Sequence, residues 1–256
     1  MALFESSNPT LSEKIFNRSV DGSQTDLMTV RGSIQKFGFL LILVFAGAAY
    51  TWKLFYEFKA PTMMTLMWVG LIGGLVSAIV ISFKPPLARY LSPVYGLLEG
   101  FVLGAFSGIV NESVKGKYPG IVMQAVMLTF TVAFAMFLLY NFRIIRPTQK
   151  FKAIIISASV GIGLFCLVYL VLSLFGVRLG FMSWHDASPL GIGINLFVIA
   201  IAALSLILDF ERIETLENAG APKYMEWYGA FGLLVTMVWL YIQILKLLSR
   251  FASNRN

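Results

Sequence analysis

The sequence predicts an all-α polytopic membrane protein, seven transmembrane helices in a single bundle. Three observations lead there. Of 256 residues, 58% are hydrophobic and 13% charged, with a mean hydropathy of +0.79, whereas soluble domains hold about 45–50% apolar and about 25% charged residues. Seven runs reach the ~20 mostly apolar residues needed to cross ~30 Å of hydrocarbon. No segment alternates apolar and polar residues over ~10 positions as a membrane barrel strand does.

The first run is about Lys36–Tyr56 (KFGFLLILVFAGAAYTWKLFY) and the second about Pro61–Ser82. Leu91–Val110, Gly120–Phe142 and Lys152–Gly176 follow, then Pro189–Phe210 and Tyr224–Leu248. Tyr50, Trp52, Tyr140, Trp184, Trp227 and Tyr228 stand near run ends, as interfacial anchors do. In the third run glycine recurs at 96, 100, 104 and 108. That spacing puts all four on one face, and small residues let membrane helices approach closely. Gly70 and Gly74 in the second run and Ser157 and Gly161 in the fifth are read the same way, as packing positions.

Residues 1–32, rich in Ser, Thr and Asn, are expected to form a flexible cytoplasmic tail, 33–250 the membrane domain and 251–256 a C-terminal tail. The N-terminus lacks a basic stretch followed by an apolar one, so no cleaved signal peptide is expected. The net charge of +7 is spread between apolar runs and reads as a topology signal, not a nucleic-acid patch. Twelve Lys and Arg fall on the N-terminal side (Lys14, Arg18, Arg31, Lys36, Lys84, Arg89, Arg143, Arg146, Lys150, Lys152, Arg212, Lys223). Eight fall on the other (Lys53, Lys59, Lys115, Lys117, Arg178, Lys246, Arg250, Arg255). The bias favours a cytoplasmic N-terminus with the C-terminus on the opposite face. Cys166 stands alone, so no intrachain disulfide forms. His185 stands alone too, which leaves no His/Cys cluster for zinc or haem.

Ionisable groups at membrane depth cost several kcal/mol and mark function by default. Glu99 stands near mid-depth of the third run with no Lys or Arg at its level. It is expected to be either protonated or solvated by an internal cavity; a neutral acid bonded to a backbone carbonyl is the plainer alternative. Asp209 ends the sixth run. Helical spacing places Asn195, Ala202, Ser205 and Asp209 on one stripe, and Gly229, Gly232, Thr236 and Gln243 on a similar stripe of the seventh run. Two such stripes facing each other are expected to line a narrow hydrated path with Asp209 at its inner mouth. Lys84 and Arg89 are the cations best placed to latch Asp209; a solvated aspartate at a helix end is the alternative.

Enzymatic chemistry is not expected. Lys246 lies too near the end of the last run for a retinal Schiff base, and His185 lies in a connection, away from any buried serine. Only one aspartate reaches membrane depth, no GxxxxGK[ST] loop occurs, and the GxG of Gly191–Asn195 lacks a strand–turn–helix context.

Several stretches carry a resemblance. SLILDFERIE (Ser205–Glu214) and AGAPKYMEWYGAFGLLVTMVWLYIQILKLL (Ala219–Leu248) resemble the Bax inhibitor-1 family, its bacterial branch in particular. MTVRGSIQKFG (Met28–Gly38), SPVYGLLEGFVLGAFSG (Ser92–Gly108) and YPGIVMQAVMLTFTVAFAMFLLY (Tyr118–Tyr140) match as well, so that the likeness covers most of the chain from about residue 28. The resemblance implies a seven-helix bundle with the last helix central, a pH-sensitive calcium leak, and suppression of cell death in eukaryotic relatives. It also implies a pair of aspartates, on the sixth and seventh helices, that share a proton, and a basic latch at the inner end of the second helix. Asp209 matches the first aspartate and Lys84 the latch, but Thr236 stands where the second aspartate belongs. One carboxylate cannot couple two protonations, and calcium favours several hard oxygen ligands. Glu99 and Glu226 are the candidate substitutes.

The resulting expectation is a protein of the bacterial cytoplasmic (inner) membrane that mediates or regulates pH-dependent cation leak, calcium foremost. Asp209 is its sensor and a calcium contact; no fixed metal site and no resident cofactor are expected. The alternative is a non-conducting regulator that binds a membrane protease or another membrane complex. The expected partners are the bilayer and other membrane proteins, not nucleic acid, with the chain monomeric or weakly oligomeric.

Overall fold

The computed structural model describes residues 27–114, 118–177, 179–184 and 186–253. Within them seven helices are long and apolar enough to cross a membrane: α1 (Val30–Tyr56), α2 (Ala60–Phe83), α3 (Ala88–Ser113), α4 (Ile121–Asn141), α5 (Gln149–Leu174), α6 (Pro189–Asn218) and α7 (Met225–Ser253). No strand occurs among the described residues; an isolated bridge joins Leu27 and Pro222.

Local chemistry sets the boundaries. The Thr29, Thr148 and Ser188 hydroxyls accept the Gly32, Phe151 and Gly191 N–H groups and so cap α1, α5 and α6. Proline opens α2 and α6, where a missing N–H costs nothing. Gly220, at φ +67°, makes the left-handed turn after α6. Two helices outrun their apolar stretches. α6 continues from Phe210 to Asn218 through Glu211, Arg212 and Glu214, since these residues favour helix as well as Leu does. α1 begins at Val30, six residues before the apolar run.

That early start shifts the expected domain boundary. Residues 27–32, expected in the tail, join the helical body: Met28 is buried and its N–H donates to the Ala221 carbonyl at 2.8 Å. At the other end α7 runs on through 251–253. Residues 1–26 of the expected tail lie outside the described residues, as do Lys115, Lys117, Arg178, His185 and Arg255.

The last helix is central. α7 packs against α1, α3, α4 and α6, and 61% of its most apolar stretch is buried, against 6% for α5. α5 is peripheral and its main contact is α6. The glycine ridge of α3 lies along α1. A Cβ on Gly100 would come within 3.0 Å of the Gly47 Cα, and one on Gly104 within 2.6 Å of the Ala48 Cα. Gly70 of α2 approaches α3 as closely, with the Leu98 carbonyl 2.5 Å from its Cβ position. The Ser157–Gly161 pair of α5 departs from expectation: Ser157 is exposed and Gly161 has nothing within 4 Å of its Cβ position. With α5 at the edge, that pair faces outward instead of packing.

Candidate functional site

Asp209 sits on α6 opposite the first turns of α7. A cavity of 90 Å³ opens beside it, lined by Asp209, Arg212, Ile213, Tyr228, Phe231 and Gly232 among others. Gly232 makes the room, since nothing lies within 4 Å of where its Cβ would be. At about 30 Å³ of liquid volume per water, the space suits a few waters or one partly hydrated cation. Oδ2 of Asp209 is buried and has no hydrogen-bond partner. Thr236, one turn further along α7, is the hydroxyl facing the carboxylate, but it donates to the Gly232 carbonyl at 3.3 Å.

The cation near Asp209 is Arg212, one turn along the same helix. It is exposed and lies over the Tyr228 ring, 5.6 Å from its centroid. Here the expected latch is corrected. Lys84 and Arg89 are both exposed and neither pairs with Asp209; Arg89 instead stacks on and hydrogen-bonds Tyr90. Lys84 precedes the 3-10 turn Pro85–Leu87 and Arg89 stands in the first turn of α3.

The two polar stripes meet at two separate points and form no continuous path. At one lie Asp209, Gly232 and Thr236. At the other, the Asn195 amide donates to the Gln243 side chain at 3.0 Å and to its carbonyl at 3.2 Å. Between them along the helices lie Ala202, Leu206, Met237 and Leu240, all buried. Ser205 leaves the stripe: its hydroxyl donates to the Ile201 carbonyl and lies 3.4 Å from Ser159 of α5.

Neither candidate substitute carboxylate reaches Asp209. Glu99 lies between α3 and α2, where Gly74 leaves its Oε2 3.6 Å from a Cβ position, with Tyr95 beside it. Glu226 is fully buried and pairs with Lys36, and with Lys223 at 2.9 Å. It also accepts the Thr29 N–H at 2.9 Å and the Thr29 hydroxyl at 3.0 Å. Glu217 accepts the Val30 N–H at 3.0 Å nearby. This cluster clamps the start of α1 to the α6–α7 turn, a structural role that the sequence reading did not anticipate.

Two features escaped the sequence reading. Arg212, counted only toward topology, follows Asp209 by three residues, a spacing that puts both on one face. Arg250, also counted only toward topology, is buried at the far end of α7 and donates to the Gly191 and Ser183 carbonyls. Nothing in its neighbourhood along the chain signals that burial. Beside it the Ser188 hydroxyl and N–H hold the Asp186 carboxyl below its usual range.

Among the described residues, no group of three or more His, Cys, Asp or Glu could hold a metal. Calcium takes about six to eight oxygen ligands, and Asp209 with Thr236 supplies one carboxylate and one hydroxyl, fewer than that set needs without water. A family model described as Bax inhibitor 1 like matches residues 8–253. No curated protein and no solved structure matches the chain.

Proposed function

Because the chain belongs to the Bax inhibitor 1 like family and carries seven apolar helices, we propose that this integral membrane protein mediates or regulates a pH-dependent cation leak, with calcium as the expected ion. The observation that carries the reading is the buried, unpartnered Oδ2 of Asp209 facing a small cavity between α6 and α7. A carboxylate held this way responds to a single proton or a single cation, because that one oxygen has no other partner. The apolar residues between Asp209 and Asn195 mean that conduction needs α6 and α7 to part, and protonation of Asp209 is the local event proposed to bias that step. The Lys and Arg bias supports a cytoplasmic N-terminus in the bacterial inner membrane. On this reading no chemical reaction is catalysed.

Thr236 in place of a second carboxylate favours one alternative, a non-conducting regulator that binds a membrane protease or other membrane complex. Liposomes holding the purified protein and a calcium dye separate the two. Leak predicts dye signal above empty vesicles that varies with pH, and a loss of that variation in Asp209→Asn. Signal no higher than empty vesicles at every pH favours the regulator.

A further inference from the structure

A second cavity, larger than the one beside Asp209, lies elsewhere in the bundle. It measures 620 Å³ and is walled by α1, α3, α4 and α7. α1 and α4 make no extended packing with each other; the stacked rings of Phe45 and Phe130, 6.2 Å apart, bridge the opening between them. Exposed residues, Phe45 and Met123 among them, form its rim, so it faces the bilayer.

The walls carry no charged side chain, and the hydroxyls among them are already partnered. Ser107 and Tyr241 share a hydrogen bond of 2.7 Å, Thr129 donates to the Ala125 carbonyl at 2.7 Å, and Asn111 donates to the Tyr56 hydroxyl at 2.8 Å. An ion finds no charged ligand there, and the polar groups without a partner, on Trp52 and Asn111, sit at one end and leave the rest of the cavity apolar. Its size falls within the roughly 300–1,000 Å³ of small-molecule sites. On α1 the lining runs from Leu41 to Trp52, about 16 Å at 1.5 Å per residue. That is about half of a ~30 Å hydrocarbon core, the depth of one leaflet. Its end at Trp52 and Asn111 lies near the helix termini remote from the N-terminus, at the depth where tryptophan and polar groups meet headgroups.

We propose that this cavity is an intramembrane lipid site that admits one acyl chain of a phospholipid, from the leaflet opposite the N-terminal face, between α1 and α4 onto the central helix. The chain would lie against Leu234, Met237 and Tyr241 of α7, residues that bulk lipid around the bundle does not reach because they are buried.

The test uses the full chain in bilayers containing phosphatidylcholine with a photoreactive diazirine on its acyl chain, with cross-linked peptides mapped by mass spectrometry. Labelling of Met237, Val238 and Tyr241, counted apart from the exposed Val235, is expected at a level comparable to the exposed Leu164 and Leu170 of α5. Filling the cavity with Ala49→Trp or Val126→Trp is expected to cut the label on those three residues at least fivefold and leave the α5 label unchanged. A wild-type map with label on α5 and none on those three overturns the proposal, as does label on them that a folded filled variant retains. Should both variants fail to fold, the wild-type map decides alone.

Discussion

At the scale of single residues, the molecule treats its buried acids in opposite ways. Glu226 is fully buried yet saturated by two lysines and Thr29, whereas Asp209 keeps one oxygen without a partner. Breaking a buried ion pair costs about 3–5 kcal/mol, so Glu226→Gln is expected to lower Tm by roughly 6–15 °C at a few degrees per kcal/mol, measured by scanning fluorimetry in detergent. Asp209→Asn, by contrast, is expected to leave Tm within a few degrees and act on flux alone. Thr236→Asp puts a second carboxylate opposite Asp209 and couples two protonations; a steeper pH dependence of calcium flux in liposomes is the expected result. Gly232→Leu fills the 90 Å³ space beside Asp209 and is expected to reduce flux at least tenfold in the same assay.

At the scale of elements, glycine means different things on different helices. Gly104 of α3 holds α1 at backbone distance, and a Cβ there would strike the Ala48 backbone, which cannot yield as a flexible side chain can. Gly161 of α5 faces open space. Gly104→Ala is therefore expected to lower Tm or abolish folding, while Gly161→Ala should raise stability by about 0.5–1 kcal/mol through helix propensity. Thermal melts of the two variants side by side check both signs. The repeat of four in α3 was legible in the sequence because spacing on one helix follows from helical geometry. The Ser157–Gly161 pair looked identical and meant nothing for packing, because only the neighbours of α5 decide whether its small face is covered.

At the scale of the whole molecule, the seven spans among the described residues are expected to put the two chain ends on opposite faces. Reporter tags at the N- and C-termini are expected to differ in accessibility to a membrane-impermeant reagent in intact cells, the N-terminal tag being protected. The two ends of α7 are tied differently: the Glu226 cluster pins it to the start of α1, and Arg250 grips the loop before α6 through the Ser183 carbonyl and the first turn of α6 through that of Gly191. Arg250→Met is expected to raise hydrogen exchange in residues 183–191 several-fold and leave residues 27–36 unchanged.

The chain's own chemistry determined how many helices are long and apolar enough to cross a membrane and roughly where each begins, because hydropathy, caps and helical spacing are local properties. Tertiary structure alone decided which polar residues meet. It sent Ser205 toward α5, spent Glu226 on lysines, left Lys84 and Arg89 exposed with Arg89 on Tyr90, and left Arg212 as the cation beside Asp209. Such pairings depend on how each helix is rotated and which helix lies next to it, and no run of residues along a single helix encodes either.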